Sequence, residues 1–174
     1  MDSFLEFISS LGLNKFYLHL SFKEKHLMRR FGSYMAYEKF LWTNFNKATF
    51  LWVTAANAIP AGEKEFAKKL LYYALTLSKH PKDTSYIHSN LAQVYQDENN
   101  INAANYHCTK TIATGYYNKW AVDTLITNHF KTGKLIEAKE ICKTIIAHHV
   151  YQKDRPKYEK LLAYFEMHLE MPVH

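Results

Sequence analysis

Residues 85–118 read SYIHSNLAQVYQDENNINAANYHCTKTIATGYYN, and residues 119–152 read KWAVDTLITNHFKTGKLIEAKEICKTIIAHHVYQ. The two stretches carry one pattern at an offset of 34 residues. Leu91 falls on Leu125, Ala104 on Ala138, Cys108 on Cys142, Ile112 on Ile146, Ala113 on Ala147 and Tyr117 on Tyr151. Tyr86 falls on Trp120, and Ile101 on Leu135. These positions are spaced as one face of a helix, a turn, and one face of a second helix. A unit of that kind cannot bury its apolar face alone, so copies stack and share a core.

A third copy lies upstream at an offset of 37. There Leu51, Ala55, Ala58, Gly62, Ala67, Leu71, Ala74 and Leu75 take the places of His88, Ala92, Tyr95, Asn99, Ala104, Cys108, Thr111 and Ile112. The three additional residues are expected in a loop around Lys79, His80, Pro81 and Lys82, where extra length costs little closure entropy.

The composition agrees with a helical chain. With 174 residues, 48% hydrophobic and 22% charged, it can bury a core and is not disordered. It has 5 Gly and 4 Pro, too few for the turns of a β-sandwich or barrel. No glycine-rich phosphate loop is present, which argues against a nucleotide-binding α/β domain. The 2 Cys make no disulfide framework. Asp2 and Glu6 stand where a leader would carry basic residues. The longest uncharged run, residues 48–62, contains Asn57 and Pro60 and falls short of the roughly 20 apolar residues of a spanning helix. The expectation is one soluble, cytoplasmic, all-α domain over residues 1–174.

The pattern resembles the tetratricopeptide repeat (TPR) family. Leu91, Ala92, Tyr95, Ala104 and Cys108 match it well. The next unit matches at Trp120, Leu125, Gly133, Leu135, Ala138 and Cys142. It departs at Ile126, where the family has a small residue, and at His129, where it has Tyr. The first unit has Thr54 in place of Leu but keeps Ala67, Leu71, Ala74 and Pro81. The resemblance implies a right-handed α-solenoid of antiparallel helix pairs, with repeats at residues 48–81, 85–118 and 119–152.

The flanks read as helices too. Asp154 is placed as an N-cap and Pro156 in a first turn, followed by one apolar stripe of Tyr158, Leu161, Leu162 and Phe165. Residues 153–171 are therefore expected as a capping helix, ended by Pro172. Residues 1–47 read as an N-terminal helical extension. Ser3 and Glu6 have capping-box spacing, Gly12 and Gly32 look like breaks, and Ser33, Tyr37 and Phe40 fit a degenerate repeat. Phe40, Trp42, Phe45, Phe50 and Trp52 crowd one stretch, which serves either as core or as a docking surface.

Few residues suggest chemistry. Cys108 and Cys142 occupy one repeat position and read as small buried hydrophobes. The 10 His include His148, His149, His168 and His174, but none shares a helical face at metal-ligand spacing. No nucleophile elbow or paired-carboxylate motif appears, so no enzyme, metal or cofactor is expected. Lys23, Lys25, His26, Arg29 and Arg30 make the densest basic patch of a chain with net charge +6. That patch is either a solvated face or a contact for phosphate or an acidic partner.

In the TPR family, partners lie in the concave groove lined by the first helix of each repeat. Carried over, the groove positions are Trp52 in the first unit, with Tyr86, Ser89, Asn90 and Gln93 in the second. In the third they are Trp120, Asp123, Thr127 and Lys131. Asn90 fits the subfamily that clamps a C-terminal carboxylate, but its expected cations are missing. Trp52, Tyr86 and Trp120 offer rigid anchors, and Asn90 and Gln93 can pair with a peptide backbone. Trp120 can equally pack between repeats. The function expected is a non-catalytic adaptor, scaffold or assembly/secretion chaperone that binds a peptide or helical segment. The alternative is a nucleic-acid-binding repeat protein using the basic patch. Against it, Lys and Arg do not recur once per repeat as a base-reading code requires.

Overall fold

The computed structural model describes residues 47–116, 118–148 and 153–170. These form helices α1 (Lys47–Ala58), α2 (Lys64–Leu77), α3 (Pro81–Asp97), α4 (Ile101–Ala113), α5 (Lys119–Lys131), α6 (Leu135–Ala147) and α7 (Arg155–Glu170), with no strand among the described residues. The chain is all-helical there. The expected N-terminal helices and the basic patch (Lys23, Lys25, His26, Arg29, Arg30) lie outside the described residues, as do Tyr117, His149, Tyr151 and Pro172.

The helix boundaries keep the offset seen in the sequence. The 13 residues of α4 and the 13 of α6 start and stop 34 positions apart. The reason lies in the turns before them. Gly62, Asn99 and Gly133 hold φ values of 83°, 57° and 73°, the left-handed region that ends a helix. The next residue then donates its N–H back to the preceding helix at all three turns. The bonds are Glu63 N to Ala58 O (3.2 Å), Asn100 N to Tyr95 O (2.8 Å) and Lys134 N to His129 O (2.9 Å). This six-to-one closure satisfies carbonyls that a helix end would leave open. Asn100 and Asn118 then start α4 and α5, each side chain accepting from the N–H three residues on, Ala103 and Ala121, at 3.2 Å.

Each helix packs on its neighbours in the chain, and α3 also touches α1 and α5. Small residues make this close approach feasible: Ala92, Ala104 and Ala138 are fully buried. Leu51, Leu71, Ile87, Leu91 and Val94 fill the space between α1, α2 and α3. Val122, Ile126, Ile145, Tyr158 and Phe165 do so between α5, α6 and α7. Ala92, Cys108, Ala121 and Leu125 join the two cores. Both thiols are free and buried, and burial pushes Cys108 up to about 12 and Cys142 up to about 11. They pack as apolar groups.

One expectation is corrected. The three additional residues do not lengthen a loop. Only Ser78, Lys79 and His80 separate α2 from α3, and Pro81 and Lys82 lie inside α3. Pro81 takes the first helical position, where a missing N–H costs nothing and its fixed φ suits the helix. The insertion is therefore an extra first turn, which gives α3 17 residues against 13 in α5. The new turn carries Asp83. At the other end, α7 begins one residue after Asp154. The Asp154 carbonyl accepts from Lys157 N at 3.0 Å and its carboxylate from Lys119 Nζ at 2.6 Å. Among the described residues no helix is long and apolar enough to cross a membrane.

Candidate functional site

Helices α1, α3 and α5 carry the residues expected to line a groove. At the α1 end, Trp52 stacks on Tyr86 with ring centroids 4.8 Å apart and planes at 15°. The Trp52 Nε1–H donates to Asp83 Oδ1 at 3.1 Å, and Thr49 Oγ1 donates to the same oxygen at 3.0 Å. The Tyr86 ring lies 5.8 Å from that of Tyr116. Burial, then the hydrogen bond to Tyr116, holds the Tyr86 phenol above its ordinary value. Trp52 and Tyr86 are thus brought together. Both are half-buried; Asp83 fixes Trp52, and stacking on Trp52 and the neighbouring Tyr116 hold Tyr86.

In the middle, Asn90 Nδ2 donates to Tyr86 O one turn back, at 2.9 Å. Ser89 is half-buried and Gln93 exposed. Beyond them, buried Asn128 ties three helices. Its Nδ2 donates to Gln96 Oε1 (3.0 Å) and Asn105 Oδ1 (2.7 Å). A satisfied amide network of this kind fixes helix register.

At the α5 end, Trp120 is 40% exposed and so faces outward. Thr127 and Lys131 are exposed as well. Asp123 is engaged by α7. Its Oδ1 accepts from Lys157 Nζ at 2.6 Å and from Tyr158 Oη at 3.1 Å, so the carboxylate clamps α7 to α5. Beside this clamp runs an open groove of about 580 Å³, a size suited to a ligand or a few side chains. From α5 it is lined by Asp123, Ile126, Thr127 and Phe130, and from α7 by Lys157, Leu161, Tyr164 and Phe165. Phe130 and Tyr164 are 44% and 39% exposed, with ring centroids 6.0 Å apart. Phe130 and Tyr164 were missed in the sequence. The available signal was the i,i+4 pairing of Ile126 with Phe130 beside the α7 stripe.

A second cluster was also missed. His88 Nδ1 and His107 Nδ1 lie 3.0 Å apart, so one ring donates its Nδ1–H to the unprotonated Nδ1 of the other. His107 stacks on Tyr95 at 5.5 Å, and its Nε2 is 3.5 Å from Tyr72 Oη. Burial, then the neighbouring His88, lowers His107 to about 4. Burial, then Lys110, lowers His88 too. Among the described residues no three His, Cys, Asp or Glu side chains converge as a metal site would require.

Comparison with protein-family models, with curated proteins and with solved structures finds no match for this chain.

Proposed function

We propose that the chain is a small TPR-type solenoid and acts as a non-catalytic protein-interaction module in the cytoplasm. Three units with the same left-handed turn and closing bond support the solenoid reading. Their first helices, α1, α3 and α5, would then share one face, on which a peptide or helical segment docks. The observation that carries the function is the α5–α7 groove. Large apolar side chains stay exposed there although the core beneath is closed, as expected for a surface completed by a partner.

The rest of the face fits that use. Trp52 is held by Asp83 and Tyr86 by stacking on Trp52, so little side-chain entropy is lost on binding. Trp120 adds a half-exposed anchor of the type enriched at hot spots. The test is affinity capture with quantitative mass spectrometry, comparing the wild type with Trp120→Ala/Thr127→Arg. Both positions are exposed, so the fold is retained, which circular dichroism checks. The principal partner is expected to fall at least about tenfold in the double variant. Equal recovery of the same proteins would end the groove reading.

A further inference from the structure

We propose that the α5–α7 groove takes an amphipathic helix whose apolar stripe is flanked by acidic residues. This rests on the protein-binding reading above and names the partner's chemistry.

The helical form follows from the walls. Both sides of the groove are α-helices, whose backbone groups are bonded internally. An extended peptide would find no backbone donors or acceptors there, whereas a helix brings its own bonds satisfied. The side chains able to pair with an extended strand, Asn90 and Gln93, sit on α3, not on this groove. What the groove offers is apolar: Ile126 and Phe130 one turn apart on α5, Leu161 and Tyr164 on α7.

The acidic flank follows from charge. Asp123 is the one carboxylate lining the groove, and Lys157 neutralises it at 2.6 Å. Lys160 stands one turn before Tyr164, and Lys131 one turn after Thr127, both exposed. Each helix therefore carries an exposed cation within one turn of a groove-lining residue. A cationic partner would be repelled and an acidic one steered in.

The test uses the whole chain and two synthetic peptides of about 16 residues, long enough to fold on the groove. Both carry Leu and Phe at i, i+3, i+4 and i+7. One has Glu and the other Lys at the flanking positions. Fluorescence anisotropy at low salt is expected to show the Glu peptide binding at least about tenfold tighter, with the gap closing as salt is raised. Phe130→Asp, at an exposed position, should weaken the Glu peptide at least about tenfold. Lys131→Glu/Lys160→Glu should reverse the preference. Equal binding of the two peptides, no binding of the Glu peptide, or indifference to Phe130→Asp would overturn the proposal. In any of these cases, continued loss of the cellular partner by Trp120→Ala/Thr127→Arg would leave the broader reading standing. Its absence would remove both.

Discussion

Truncating Leu91 to alanine is expected to lower the stability of the folded chain by about 2–5 kcal/mol. Leu91 is fully buried among Leu51, Leu71, Ile87 and Val94, so the deletion loses transfer energy and leaves a cavity that rigid helices cannot close. Its position magnifies the effect. Helix α3 packs on α1, α2, α4 and α5, so a hole there weakens several helix interfaces at once. Ile136→Ala is the control. That side chain is 63% exposed, and its loss should stay within about 0.5 kcal/mol. Urea denaturation reads both. The Leu91→Ala midpoint should drop while the slope holds, and a midpoint like that of Ile136→Ala would deny Leu91 its place in the core.

The second large effect is a loss of stability in acid. In the folded chain His107 titrates at about 4 rather than near its ordinary value of 6.5, because burial and His88 oppose its charge. Between those two pH values the unfolded chain binds more protons than the folded one. Stability is therefore complete above about pH 6.5 and falls as pH drops toward 4. The shift corresponds to about 3 kcal/mol for His107, and His88 adds to it in the same direction. The geometry agrees, since charging both rings would set two N–H groups against each other at 3.0 Å. The surroundings supply little relief. Tyr72 faces the pair from α2, Tyr95 from α3, and Tyr106 and Lys110 from α4, while Lys68 lies over the Tyr95 ring. His107→Phe removes the main titrating group. Denaturant titrations from pH 7.5 to 4.5 should show a clearly flatter pH dependence for the variant. An unchanged slope would mean that the pair does not control acid stability.

How much of this was legible in the sequence differs from element to element. The end of one helix and the start of the next were readable at Gly62, Asn99 and Gly133, because a left-handed turn restricts residue type. Small residues at Ala92, Ala104 and Ala138 marked close approach for the same local reason. The extra turn of α3 was not readable. Pro81 breaks a helix interior yet starts one equally well, and what decides is Asp83 meeting Thr49 and Trp52 from another helix. The same limit applies to the groove. Its positions on α5 were carried over from the family resemblance, which does not say that Asp123 is taken by Lys157 and Tyr158, 34 and 35 residues away. Nor does it pair His88 with His107 across two helices. Turns and close approaches are legible because local geometry fixes them, whereas these pairings are set by partners elsewhere in the fold.

The central claim is that the exposed side of α5 meets a protein. Site-specific photocrosslinking in cells tests it most directly, with a benzophenone side chain placed at Thr127 in the groove and, separately, at Lys143 on α6. Both positions are exposed, and only Thr127 lines the groove. A discrete protein adduct from Thr127, absent from Lys143, is the result predicted. An adduct from Lys143 alone, or crosslinking of Thr127 only to nucleic acid, would contradict it.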